Sequence, residues 1–260
     1  MNPDNRPVGV FDSGVGGISV LDELIRLMPN ENFIYYGDSK NAPYGTKSHD
    51  EVKELTTATA NRLLAMDCKA LVIACNTATS AAVRPLRAAH PDVPVIGIEP
   101  ALKPAVLDRI SGYILVLATA VTLSEPKFIN LMNEYKDMAE IRTLACPGIV
   151  EFVERGITDG NELLSYLSDL FKDNLNPAPD GVVLGCTHYP FVSDSISRIF
   201  GKSTRIYDGG AGTARETLHQ LSLHNLCNSP DNMGKVTILN SNPDYINIAE
   251  KLLQIRKKRG

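Results

Sequence analysis

The feature that most constrains this chain is a recurring short run with no polar member. Leu71-Val72-Ile73-Ala74 and Val182-Val183-Leu184 are the clearest cases. A strand with one wet face alternates apolar and polar residues, whereas a run apolar throughout suits a strand covered on both faces, as in a parallel sheet. Strands are expected at Val8–Phe11, Asn32–Tyr36, Ala70–Ala74 and Val93–Ile98. Between them lie helical patterns at Ile18–Leu27, His49–Met66 and Thr77–Ala89, the last interrupted at Pro85. The alternation then restarts. Strands are expected at Tyr113–Ala118, Glu140–Leu144 and Gly181–Gly185, with helices at Ser124–Glu134, Gly148–Arg155, Asn161–Asn174 and Pro190–Phe200. Arg205–Tyr207, Thr213–Leu223, Val236–Leu239 and Tyr245–Lys257 complete the chain. Strands alternating with helices predict an α/β fold built from parallel βαβ units.

Two passages are near copies. Ala70-Leu-Val-Ile-Ala-Cys75-Asn76-Thr77 parallels Gly181-Val-Val-Leu-Gly-Cys186-Thr187-His188. Each is an apolar strand, a small residue, a cysteine and a polar helix start. Each cysteine also follows, at similar spacing, a polar residue ending its half's first strand: Asp12 before Cys75, Thr119 before Cys186. Two related α/β halves facing each other are therefore expected. The boundary falls near Ile98-Glu99-Pro100, where proline biases Glu99 away from helix. A second crossing near Asp208-Gly209-Gly210 would return the C-terminal helices to the first half. The expected domains are 1–98 with 209–260, and 99–208.

With 260 residues and a net charge of −4, the chain has no basic excess to neutralise phosphates, so a nucleic-acid partner is not expected. The basic cluster Arg256-Lys257-Lys258-Arg259 reads as a solvated helix end, where cations suit the helix dipole. The start, Met1-Asn2-Pro3-Asp4-Asn5-Arg6-Pro7, lacks a signal-peptide pattern. No run approaches the roughly 18 apolar residues of a membrane span, so a cytoplasmic protein without a membrane partner is expected. The five cysteines are odd in number and show no Cys-x-x-Cys spacing, so free thiols rather than disulfides or a zinc site are expected.

Cys75 and Cys186 stand where ligands bind in open parallel sheets, beyond the carboxyl ends of strands. Both precede an expected helix start, which favours thiolate, with Asn76, Thr77 and Thr187 as capping or anion-binding groups. A single cysteine at a strand end is commonly a small buried hydrophobe. The matched pair argues for chemistry here, while Cys68, Cys146 and Cys227 keep the structural reading. Inverting a stereocentre needs a proton removed from one face and another delivered to the opposite face. Two thiols do this directly, one starting as thiolate and the other as thiol. Asp12-Ser13 leads into Gly14-Val15-Gly16-Gly17, whose backbone N–H groups could hold an anion or simply form a capped turn. This is not a dinucleotide fingerprint, because Ser19 stands where the third glycine would. Asp38 and Pro43-Tyr44-Gly45 fall in a loop whose composition leaves Tyr44 undecided. Gly201-Lys202-Ser203 lacks the leading glycine of a phosphate loop, Ile196 standing in its place. His188 is placed to exchange a proton with Cys186.

The series Val8-Gly-Val-Phe-Asp12-Ser13-Gly-Val-Gly-Gly17, Tyr36-Gly-Asp38, Ala42-Pro-Tyr44-Gly45, Ala74-Cys75-Asn76-Thr77-Ala78, Ala145-Cys-Pro147 and Gly185-Cys186-Thr187-His188-Tyr189-Pro190 resembles the ordered motifs of bacterial glutamate racemases. With the C-terminal helices the resemblance covers essentially the whole chain. It implies two pseudo-symmetric α/β domains with the active site in the cleft between them. It implies Cys75 and Cys186 as the catalytic bases, and use of neither pyridoxal phosphate nor metal. It further implies D-glutamate supplied to peptidoglycan synthesis, and a homodimer. It assigns Asp12 to assist Cys75, and His188 with Glu154 to assist Cys186. Asp12, Ser13, Tyr44, Gly45, Asn76, Thr77, Thr119, Thr187 and His188 would hold the substrate. The chain departs from the family pattern at Glu151, where proline is common, and at Ala118, where glycine is usual. The N-terminal extension of precursor-activated members is also missing, so that regulation is not expected.

Three other readings stand beside this one. An aspartate racemase of the same superfamily would tend to carry Glu at the position of His188. A dicarboxylate-binding protein would need no thiols. A cysteine hydrolase would leave Cys75 without a role.

Overall fold

The computed structural model describes residues 3–108 and 112–259, without the side chains of Lys257, Lys258 and Arg259. Of the basic C-terminal cluster, those three side chains lie outside the described residues. Contacts divide the chain into two compact units, residues 1–99 with 210–260, and residues 100–209.

The chain enters as strand β1 (Val8–Asp12), turns through its glycines, and forms helix α1 (Ile18–Leu27). Strand β2 (Phe33–Gly37) follows, then helix α2 (His49–Ala65). Ser48 caps α2 by accepting the Glu51 N–H at 3.2 Å, and Asp50 and Glu51 suit the positive end of the helix dipole. Strand β3 (Ala70–Ile73), helix α3 (Asn76–Ala89) and strand β4 (Val95–Gly97) come next. The expected break at Pro85 does not occur. Pro85 faces solvent while its neighbours Ala82, Val83 and Leu86 are buried, and that packing carries the helix through the lost hydrogen bond.

The second unit holds helix α4 (Leu102–Leu107), strand β5 (Tyr113–Ala118), helices α5 (Ala120–Ser124) and α6 (Pro126–Tyr135), strand β6 (Glu140–Ala145), helices α7 (Gly148–Glu154) and α8 (Asn161–Phe171), strand β7 (Gly181–Leu184), helix α9 (Ser193–Phe200) and strand β8 (Arg205–Asp208). The helix expected at Ser124–Glu134 is α6, which starts at Pro126, and the short helix α5 precedes it. Glu125 is extended before Pro126, and proline occupies the first helical turn, where no N–H is required. The helix expected from Pro190 opens instead as a 3-10 turn over Tyr189–Val192, with α9 starting at Ser193. Helix α10 (Gly210–Leu223), strand β9 (Val236–Asn240) and helix α11 (Ile246–Arg259) complete the chain.

These last elements build into the first unit. Its sheet runs β4-β3-β1-β2-β9, and the second unit's runs β6-β5-β7-β8, with every pairing parallel. The order β4-β3-β1-β2 repeats as β8-β7-β5-β6, so each unit has one central first strand and places its cysteine after the third. In the first unit α1 packs with α10 and α11, and α2 with α3. Residues alternate between these layers. Phe11, Leu71 and Ile73 join the core formed with Val52, Leu63, Ala78 and Leu86 from α2 and α3.

Polar ties hold the returning segment. The buried Lys69 ammonium lies 2.6 Å from both Glu31 Oε2 and the Asp4 carbonyl oxygen, and Glu31 Oε1 accepts the Asn228 N–H at 2.6 Å. A buried pair adds little net stability, because desolvating both charges offsets their attraction. Arg256 is not solvated as expected for the basic cluster. It pairs with Asp22 at 3.1 Å and Glu23 at 2.7 Å, joining α11 to α1.

The glycine turn folds down onto the strand ends. Tyr35 Oη donates to the Gly14 carbonyl at 2.7 Å, and a Cβ on Gly37 would lie 2.5 Å from that same oxygen. Gly37→Ala should therefore cost about 1–3 kcal/mol of stability, as overpacking against backbone does. The expected readout is a lower thermal midpoint than wild type; an unchanged midpoint would contradict this account of the turn.

Candidate active site

The strand repeat places the two cysteines equivalently. Phe11 pairs with Ile73 in register, and Leu117 with Leu184. One residue further on, the Ala74 N–H donates to the Phe11 carbonyl and the Gly185 N–H to the Leu117 carbonyl, each at 2.7 Å. Only a small residue fits at Gly185, where a Cβ would come within 2.9 Å of the Leu117 oxygen. Cys75 and Cys186 follow directly. The same register corrects the expected partners by one position: Asp12 matches Ala118, and Ser13 matches Thr119.

In the first unit, Cys75 is the N-cap of α3, with Asn76 and Thr77 opening the helix. Its sulfur accepts the Ser13 hydroxyl at 3.4 Å. Asp12 is fully buried, and its Oδ1 accepts the Gly14 N–H at 2.9 Å. A Cβ on Gly17 would meet the Asp12 Cβ at 2.5 Å, so that glycine lets the start of α1 close against the acid. Asn76 Oδ1 is buried with no hydrogen-bond partner, an acceptor open to an N–H donor. The Tyr44 hydroxyl does not point to an open acceptor site; it donates to Asp38 Oδ2 at 2.7 Å, which also receives Asn41. Burial, the bond to Asp38 and the neighbouring Cys75 and Asp12 raise this phenol far above its ordinary range. Tyr44 and Gly45 open a 3-10 turn, where first-turn amides lack acceptors within the turn itself.

In the second unit, Cys186 has no α-helix at its back. The 3-10 turn begins three residues later, so the expected helix-end effect on this thiol gives way to a side-chain arrangement. Cys186 Sγ lies 3.6 Å from His188 Nδ1, and His188 Nε2 lies 2.6 Å from Glu154 Oε1. His188 and Thr187 are buried. Burial alone would lower the imidazole, but the bonds to Cys186 and Glu154 outweigh it, and His188 titrates well above 6.5. Glu154 comes into place because α7 runs unbroken from Gly148, with Glu151 in its first turn where a carboxylate is favourable. Thr119 caps α5, accepting the Thr122 N–H at 3.2 Å and donating to the Thr122 hydroxyl at 2.9 Å.

The remaining cysteines differ. Burial pushes the Cys68 thiol up to about 11 and the Cys146 thiol up to about 12. Cys227 is half-buried, 3.6 Å from the Ser222 hydroxyl. Sequence reasoning missed what surrounds Cys146. Its carbonyl accepts the buried Tyr189 hydroxyl at 2.9 Å, and the run Cys186-Thr187-His188-Tyr189 beyond β7 was the available signal. Among the described residues, no group of three or more His, Cys, Asp or Glu is arranged to hold a metal, and no helix is long and apolar enough to cross a membrane.

Two α/β units of one strand order, each presenting a cysteine beyond its third strand, one with a hydroxyl partner and one with an imidazole partner, define a thiol-bearing α/β enzyme. The comparisons name the family: the Asp/Glu/hydantoin racemase model matches residues 9–217, and the chain belongs to that family. A glutamate racemase of Clostridium botulinum is 49% identical over 258 residues, covering 99% of this chain and 98% of its own. The crystal structure of a Bacillus anthracis glutamate racemase isoform superposes with a TM-score of 0.85 at 29% identity, over 96% of this chain and 95% of that one. A Francisella tularensis glutamate racemase in complex with D-glutamate gives 0.82 at 28% identity, over 96% and 94%.

The His188 geometry has a measurable sign. An imidazole raised in the folded state stabilises the fold fully below about 6.5, and that contribution is lost as pH rises through its folded value. Glu154→Gln removes one of the two raising partners. By NMR titration of the His188 ring, the variant should titrate at lower pH than wild type; an unchanged midpoint would sink the assignment of Glu154 as its partner.

Proposed function

We propose that this protein is a glutamate racemase that interconverts L- and D-glutamate by proton transfer at Cα between Cys75 and Cys186, without a cofactor. The observation that carries the reading is the matched pair of thiols in a chain 49% identical to a glutamate racemase over nearly its whole length. One thiolate removes the Cα proton and the other thiol returns a proton to the opposite face. The roles exchange with reaction direction. Asp12 serves Cys75. His188, held by Glu154, serves Cys186. Ser13, Asn76, Thr77, Thr119, Thr187 and the amides of Tyr44 and Gly45 hold the substrate's charged groups with hydroxyls, an amide and N–H donors. The product would feed peptidoglycan synthesis in the cytoplasm, and a homodimer is the assembly that the resemblance to glutamate racemases supports.

L-Glutamate incubated in D₂O, with enzyme dialysed against a chelator and no added pyridoxal phosphate, should lose optical activity and gain deuterium at Cα. L-Aspartate should react far more slowly. Equal turnover of the two, or none without a cofactor, would overturn the assignment.

Cys75→Ser and Cys186→Ser should each lower kcat by about 10²–10⁴-fold, the usual worth of a positioned acid–base group. Near-normal racemisation by either variant would refute the two-base mechanism.

A further inference from the structure

His188 and Tyr189 are adjacent in the chain and reach the two ends of one segment. His188 Nε2 meets Glu154, the last residue of α7, at 2.6 Å. The Tyr189 hydroxyl donates to the Cys146 carbonyl at 2.9 Å, two residues before α7 begins. Seven helical residues span about 10 Å, so the two bonds lie at opposite ends of a rigid rod. The near end is anchored further. The Cys146 N–H donates to the Ala118 carbonyl at 3.0 Å, and the Gly148 N–H donates to the Tyr166 hydroxyl at 3.0 Å. A Cβ on Gly148 would approach that hydroxyl oxygen to 2.7 Å, so the start of α7 rests directly on Tyr166.

We infer that Tyr189 is a positioning residue: its hydroxyl pins the start of α7 to the loop carrying Cys186 and thereby sets where Glu154 meets His188. Tyr189 is fully buried and its hydroxyl donates to a backbone carbonyl, so it acts through α7 and not on substrate. A buried carbonyl that loses its donor draws the segment toward another partner. At the far end of a rigid helix, a small tilt becomes a shift in the Glu154 carboxylate. The inference rests on the reading that His188 and Glu154 serve Cys186.

The test is a double-mutant cycle on the full-length protein, with Tyr189→Phe, Glu154→Gln and both together. Y189F should keep its circular dichroism, leave KM within about twofold and lower kcat by about tenfold, a fraction of what an acid–base group supplies. Its His188 ring should titrate at lower pH than wild type, a readout that does not depend on turnover. Introduced into E154Q, the same substitution should change kcat by less than about twofold, because residues sharing one network are not additive. Effects that multiply, or a Y189F protein with unchanged kcat and unchanged His188 titration, would overturn the inference while leaving the half-site reading intact. If E154Q and His188→Asn themselves leave racemisation unchanged, the reading of His188 and Glu154 falls, and the inference with it.

Discussion

Everything near the two thiols depends on one short hydrogen bond made twice. The residue before each cysteine donates its N–H at 2.7 Å to the next-to-last residue of the central strand, Ala74 to Phe11 and Gly185 to Leu117. These bonds extend the parallel ladders one step past the strands proper and stop there. The following residue is then released at the carboxyl edge of the sheet, where helices and loops can reach it but no strand neighbour competes for it. At Gly185 a Cβ would come within 2.9 Å of the Leu117 oxygen, which keeps that position a glycine.

From this common frame the units diverge. In the first, the acid sits on the central strand itself. Asp12 is buried under the glycine turn, Ser13 donates to Cys75, and a full helix starts at the sulfur. In the second, the position equivalent to Asp12 is Ala118, and no α-helix begins at Cys186. The missing acid is replaced by a relay, with Glu154 against His188 and His188 against the thiol. A thiol at a helix start and a thiol beside a carboxylate-paired histidine are two different settings for the same chemical group. A racemase of the proposed type needs both thiols competent in either protonation state, and two unlike environments can meet that need on one duplicated fold.

The α/β class, the strand repeats and the matched cysteines were legible in the chain because buried parallel strands require uninterrupted apolar runs, and a duplicated run is visible without any structure. Boundaries at Pro126 and Tyr189 were misplaced because helical periodicity does not distinguish a 3-10 turn or an extended residue before a proline from the first turn of a helix. Pro85 was read as a break because local propensity takes no account of the packing of Ala82, Val83 and Leu86, which overrides it.

The sequence by itself determined which side chains are available: two cysteines after like strands, Asp12 beside a glycine turn, and a histidine two residues beyond Cys186. It could do so because chemistry-bearing residues at strand ends are adjacent along the chain to the strands that position them. Tertiary structure decided the pairings between distant segments. Glu154 meets His188, Tyr189 holds Cys146, Tyr44 is turned to Asp38, and Arg256 binds Asp22 and Glu23. Those partners are set by strand register and helix packing, which bring together residues whose separation along the chain carries no signal of their contact.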